Sequence, residues 1–147
     1  MTVSKSRLAD LLAAYAHQGQ TDKAGRDYIL HPRAVAARME TEEEKTVALL
    51  HDVLEDTFVT EATLRNLFGD AVTDAVVTLT HREGEDYEAY IRRIGDHPLA
   101  LRVKLADLRH NMDLTRLPEV TEADLRRAEK YRRSYDWLRS RLPSSNG

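Results

Sequence analysis

The 147-residue chain contains no cysteine. That excludes disulfides, zinc–thiolate sites and iron–sulfur clusters, and it fits a reducing compartment. No apolar run approaches the length of a membrane span, so no membrane partner is expected. No apolar signal core follows the N-terminus, because Leu8-Ala9 runs straight into Asp10. The expected location is cytoplasmic. Positive charge is not in excess, since the formal net charge is −3. This is a poor electrostatic footprint for a nucleic-acid binder, and no nucleic-acid partner is expected. A local basic pocket for a small phosphorylated ligand remains compatible with it. The chain also lacks internal repeats, low-complexity linkers and any clean strand-period alternation.

What is present reads as helix. An apolar fraction of 41% and a charged fraction of 32% suit one globular domain, placed at 1–142 with a disordered tail at 143–147. Leu8, Leu11, Leu12 and Tyr15 mark the apolar face of a first helix. A polar, glycine-containing loop follows from Gln18 to Asp27. Pro32 suits the first turn of a helix, which puts His31 at the helix entrance. Thr41-Glu42-Glu43-Glu44 is a capping box opening a helix through Val47, Leu50, His51 and Leu54. Thr60 and Gly69 bracket another helix. Further helices are expected over Asp70 to about Thr80, Asp86 to Gly95, from Pro98 through Met112, and from a Thr121 cap to about Leu142. Val76-Val77-Thr78-Leu79 is the one stretch that also suits a strand. The fold class is all-α, a compact bundle of short helices.

His51-Asp52 stands out against this background, with His31 upstream and Asp107 downstream. Two imidazoles and two carboxylates can hold one divalent ion and leave positions for water. Apolar neighbours Leu49, Leu50, Val53 and Leu54 surround His51-Asp52, where a bare carboxylate needs a cation or strong partners. Glu55 lies four residues after His51, and Asp56 four after Asp52, which places both one turn along for acid–base work. Asn111 follows Asp107 by four and shares its helical face. Mixed imidazole and carboxylate ligation suits Mn²⁺ or Fe²⁺, with Zn²⁺ as a further alternative. Such an ion lowers the pKa of its bound water and polarises phosphorus, which points to hydrolysis of a phosphate ester. Each fragment alone has an ordinary structural explanation. Their conjunction carries the reading.

The ordered set His31 … His51-Asp52 … Asp107 resembles the HD-domain phosphohydrolase superfamily. Three longer strings are similar to the hydrolase domain of RelA/SpoT proteins and to stand-alone small alarmone hydrolases. They are Tyr28-Ile29-x-His31-Pro32, Ala48-Leu49-Leu50-His51-Asp52-Val53-Leu54-Glu55-Asp56-Thr57 and Val103-Lys104-Leu105-Ala106-Asp107-x-x-His110-Asn111-Met112. The resemblance implies an HD-type helical bundle and a manganese ion held by His31, His51, Asp52 and Asp107. It implies that Glu55 and Asp56 position and activate the attacking water, and that Asn111 lies near the substrate. The implied reaction removes the 3′-pyrophosphate from guanosine tetra- or pentaphosphate. Lys23 matches a basic family position, and Arg82 stands where a phosphate contact is expected.

The chain departs from that pattern where substrate would be read. Asp22 replaces an arginine, Asp113 replaces a basic residue, and the segment Thr80 to Tyr90 lacks the usual lysine. Hydrolysis of another nucleotide (NADPH, a dNTP or a nucleoside phosphate) therefore stays open. So does a catalytically silent nucleotide-binding module. The oligomeric state is not legible. Of the remaining residues, Lys104 is either a surface lysine or a neighbour of the site, Tyr87 and Tyr90 read as a core-facing pair, and His110 as a supporting contact. His17, His81 and His97 read as ordinary.

Overall fold

The computed structural model describes residues 3–143, and the expected tail lies outside them from position 144 onward. Nine α-helices are seen among the described residues: α1 (Lys5–Ala16), α2 (Leu30–Ala37), α3 (Glu42–Leu50), α4 (Val53–Asp56), α5 (Glu61–Phe68), α6 (Asp70–Leu79), α7 (Tyr87–Gly95), α8 (Pro98–Met112) and α9 (Glu122–Ser140). A short 3₁₀ turn, Leu114–Arg116, precedes α9. The stretch that also suited a strand is helical, the end of α6.

Local signals set most boundaries. Thr41 accepts from the Glu44 amide, and the Glu44 carboxylate accepts from the Thr41 amide at 3.0 Å, which completes the capping box of α3. Thr121 and Asp124 form a second capping box at α9, and Thr60 caps α5 by accepting the Thr63 amide. Gly69 ends α5 with φ +86°, a conformation that a β-carbon disfavours. Pro98 occupies the first turn of α8.

Helix α3 forms the centre. Its Val47, Ala48 and Leu50 are fully buried, and α1, α2, α6 and α8 pack around it. Helix α8 is the second hub, contacting α2, α3, α6, α7 and α9. Here the face expected for α1 needs correction. Ala9, Ala13 and Ala16 point inward, Leu8 and Leu12 flank them, and Leu11 and Tyr15 are exposed. The small alanines let α1 approach α3 closely, so the inner stripe is not the one with the largest residues.

The helix expected through Leu54 also breaks. Helix α3 stops at Leu50, His51 and Asp52 form a turn, and α4 restarts at Val53. The cause is local. The Ala48 carbonyl accepts the His51 ring Nδ1 at 2.6 Å as well as the His51 amide at 3.5 Å, so the i→i+4 ladder is interrupted. The break turns His51 and Asp52 toward α2 and α8.

The capping box gives a stability prediction. Thr41→Ala should destabilise the fold by about 1 kcal/mol in thermal or denaturant unfolding. Burial pushes the Glu44 carboxyl upward in pKa, but the Thr41 and Glu40 amides and the Arg102 guanidinium hold it below its ordinary value. Glu44 therefore adds stability above its unfolded-state pKa and loses it as pH falls through the depressed folded value. Acid unfolding below about pH 4 should be less steep in Glu44→Gln than in the parent chain.

Candidate metal centre and active site

Helices α2, α3, α4 and α8 bring the four expected ligand residues to one pocket. His31 enters from the first turn of α2, His51 and Asp52 from the break after α3, and Asp107 from the middle of α8. His31 Nε2 lies 2.7 Å from Asp107 Oδ1. His51 Nε2 lies 3.1 Å from Asp52 Oδ2 and 3.4 Å from Asp107 Oδ1. Donor atoms of His31, His51 and Asp52 fall within 4.8 Å of one another. The pocket has a volume of about 210 Å³ and is also walled by Glu55, His81, Tyr90, Lys104 and Asn111.

One atom tests whether a metal suits this cluster. The Ala48 carbonyl can only accept, so the Nδ1 of His51 carries the proton and Nε2 faces the pocket. That Nε2 is buried and makes no hydrogen bond, although two carboxylate oxygens flank it. A lone pair aimed at two anions requires a positive charge between them, either a proton or a cation. The ionisation tendencies agree. Burial works against charge on His51, yet Asp52 and Asp107 raise its pKa well above the ordinary value. Burial also opposes charge on Asp52, but chiefly His51 holds its carboxyl at about 2. The donor set is of the imidazole–carboxylate kind that divalent ions favour, and a divalent metal fits it.

Neighbours fix these side chains in place. The Tyr28 hydroxyl donates to Asp52 Oδ2 at 2.5 Å. Lys104 Nζ donates to Asp107 Oδ2 at 2.9 Å, and Asn111 Nδ2 to Asp107 Oδ1 at 3.1 Å. His110 stacks on His31 with ring centroids 4.8 Å apart. Lys104 is thus a half-buried residue of the pocket wall. Burial acts against its charge, but Asp107 raises its pKa well above the ordinary value. Outer contacts of this kind commonly change metal affinity by about 10–100-fold, so Tyr28→Phe should weaken metal binding by about tenfold in a calorimetric titration.

Glu55 and Asp56 sit beside this cluster on α4, with donor oxygens that group with Asp52. Glu55 lines the pocket, and one of its oxygens accepts the His81 amide. Desolvation raises the Glu55 pKa, opposed by that amide and helped by the charges of Asp52 and Asp56. Asp56 is exposed, and its carbonyl accepts from Gln20 at 2.8 Å.

Three expected substrate contacts end in different places. Asn111 lies in the pocket wall. Lys23 lines an adjoining chamber rather than the pocket itself. Arg82 is not brought to either wall; it stays on an exposed turn with its amide on Glu85. That turn is clamped by Arg93, which binds Glu85 at 2.8 Å and the Thr78 carbonyl at 2.9 Å. It places the exposed His81 at the rim of the pocket instead.

Several wall residues carried no sequence signal for a site. Tyr28 is the exception: it opens the first of the three strings, in the turn that leads into α2 three residues before His31. His17 packs its ring 4.9 Å from that of Tyr28. Tyr87 and Tyr90 do face inward as a pair, and what they face includes the pocket. Tyr131 and Arg127, both from α9, lie far along the chain from any motif, whereas Arg116 stands four residues after Met112, where the third string ends.

A family model described as HD domain matches residues 9–93. The chain belongs to the HD-domain family. The matched stretch carries His31, His51 and Asp52, and α8 adds Asp107 beyond it. Among curated relatives, the bifunctional (p)ppGpp synthase/hydrolase SpoT of Escherichia coli is 35% identical over 125 residues. That alignment covers 75% of this chain but 18% of SpoT. The guanosine-3′,5′-bis(diphosphate) 3′-pyrophosphohydrolase of Haemophilus influenzae is 35% identical over 117 residues, covering 69% of this chain and 17% of that protein. The chain thus spans less than a fifth of the length of these relatives. A solved structure of a metazoan ortholog of SpoT, described as hydrolysing ppGpp, superposes with a TM-score of 0.76. It is 25% identical, and the match covers 95% of this chain and 88% of that one. No helix among the described residues is long and apolar enough to cross a membrane.

Proposed function

We propose that this chain is a divalent-metal-dependent phosphohydrolase that removes the 3′-pyrophosphate from guanosine tetra- or pentaphosphate. The observation that carries the reading is the convergence of His31, His51, Asp52 and Asp107 around an unpartnered His51 Nε2. The named activity of the relatives supports the substrate class. Mn²⁺ is the proposed ion, with Fe²⁺ or Zn²⁺ as alternatives, because both imidazole and carboxylate suit it. When bound, it would acidify water and offset charge developing at phosphorus.

The remaining groups have assignable work. Glu55 has one oxygen held by the His81 amide and a second free to accept a proton from the attacking water. Asp56, beside it, orients that water. Asn111 stands in the wall next to Asp107 and can reach a substrate oxygen. Lys23 is proposed as a contact from the adjoining chamber, while Arg82 would have to approach from the exposed turn. Lys104 adds a fixed positive charge to the pocket.

The test is direct. Purified chain loaded with Mn²⁺ should release pyrophosphate from guanosine tetraphosphate, and EDTA should stop it. A protein that holds stoichiometric metal but turns over no phosphate ester in a panel of guanosine tetraphosphate, NADPH, dNTPs and cyclic nucleotides would overturn the proposal.

A further inference from the structure

Four tyrosines line the metal pocket: Tyr28, Tyr87, Tyr90 and Tyr131. Two of them spend their hydroxyls on the protein itself. Tyr28 donates to Asp52 Oδ2, and Tyr90 donates to the Leu79 carbonyl at 2.6 Å. Tyr87 does not. Its hydroxyl is buried and makes no hydrogen bond among the described residues. Burying a hydroxyl without a partner is unfavourable, and folded proteins leave few groups in that state. Where such a group borders a ligand pocket, its partner can arrive with the ligand.

The ring is held from several sides. Tyr87 is the first residue of α7, directly after the turn that Arg93 clamps through Glu85. Lys130 Nζ, on α9, lies 3.8 Å from the Tyr87 ring centroid. The Tyr90 ring lies 5.9 Å away, tilted by 50°. The groups that sense the Tyr87 oxygen are pocket residues. Burial raises the pKa of Tyr131, and the Tyr87 oxygen raises it further. Burial opposes charge on Lys104, whereas Asp107, Tyr90 and the Tyr87 oxygen favour it.

These neighbours set the chemistry of the missing acceptor. Lys104 Nζ donates to Asp107 Oδ2 at 2.9 Å and to the Tyr90 hydroxyl at 3.3 Å, and an ammonium has a third hydrogen to give. Lys104 and Tyr87 thus offer two donors within one pocket, an arrangement suited to an oxyanion. At about 210 Å³ the pocket lies below the range of about 300–1,000 Å³ typical for a whole drug-sized ligand. It has room for a pyrophosphate group and not for a nucleoside as well.

We infer that the Tyr87 hydroxyl donates to an oxygen of the substrate's 3′-pyrophosphate and positions that group at the metal centre. The inference rests on the proposed pyrophosphohydrolase reading and adds a substrate-binding residue to it.

Tyr87→Phe removes only the oxygen. That oxygen satisfies nothing in the fold, so the variant should melt no lower than the parent. Dissociation constants are measured by calorimetry on Mn²⁺-loaded Glu55→Gln protein, with and without Tyr87→Phe. The ligands are guanosine tetraphosphate and GDP, which lacks the 3′-pyrophosphate. Tyr87→Phe should weaken guanosine tetraphosphate by about tenfold and GDP by less than about twofold. With Glu55 intact, the same change should raise KM by about tenfold and alter kcat by less than about threefold. Unchanged affinity for guanosine tetraphosphate overturns the inference, and so does an equal loss for both ligands. A melting temperature lowered by about 3 °C or more also overturns it, because the hydroxyl would then serve the fold. In each of these cases a parent chain that still hydrolyses guanosine tetraphosphate leaves the pyrophosphohydrolase reading standing. A metal-loaded parent chain that neither binds nor hydrolyses guanosine tetraphosphate overturns that reading, and this inference with it.

Discussion

Asp52→Ala is expected to abolish metal binding and to lower turnover by more than about 10³-fold. Asp52 supplies the carboxylate nearest the unpartnered His51 Nε2, at 3.1 Å, and it is also the acceptor for the Tyr28 hydroxyl. Removing it leaves His31, His51 and Asp107, with the Asp107 oxygens already shared among His31, Lys104 and Asn111. Three ligands of which one is so heavily engaged would not retain an ion through purification. Asp52 lies in the turn between α3 and α4 and contributes nothing to the apolar core, so the helical fold should persist. Metal analysis of the purified variant and its circular dichroism separate loss of the ion from loss of structure. Asp52→Asn refines the test. It keeps an oxygen for Tyr28 but loses the charge, and should bind metal weakly while remaining folded. A fully metallated, active Asp52→Ala protein would remove the centre on which the proposed chemistry depends.

The sequence made the cluster of His31, His51, Asp52 and Asp107 legible because its chemistry is distinctive and each residue sits next to a strong local signal. His31 precedes a proline suited to a helix start, His51-Asp52 closes a capped apolar helix, and Asp107 follows a regular amphipathic turn. Capping residues and Gly69 act within four residues, so they could be read from the chain alone. What was not legible depended on competition or on distance. The stop after Leu50 arises because an imidazole takes a carbonyl that a longer helix would use, and no propensity encodes that choice. The inward face of α1 follows from how closely it approaches α3, which favours Ala9 and Ala13 over Leu11. In the turn after α6 no periodicity indicates which residue borders the pocket. His81 comes to border the pocket and Arg82 does not, because Arg93 on α7 grips Glu85 within the turn. The chamber wall drawn from Tyr131 and Arg127 is the product of α9 folding back on α8, and no local pattern marks it.

Glu55→Gln should separate binding from chemistry. Glu55 borders the metal cluster but is not needed to complete it, so the ion should stay near its parent stoichiometry. Substrate affinity should change little, since the amide keeps an oxygen for the His81 N–H. Only the capacity to take a proton is lost, and general-base catalysis contributes about 10²–10⁴-fold. The expected result is therefore a fall in kcat of that order with KM nearly constant. The pH profile adds a second readout. Desolvation raises the Glu55 pKa, with Asp52 and Asp56 adding to the shift despite the opposing His81 amide. A base with a raised pKa is protonated sooner on acidification, so the acid limb of kcat/KM in the parent should lie above the ordinary glutamate value of about 4.3. Glutamine does not titrate, and that limb should vanish from the variant. If the variant instead lost metal and activity together, Glu55 would belong to the ion's own coordination, and the proton would have to be taken by Asp56, its neighbour on α4 and the remaining carboxylate grouped with Asp52.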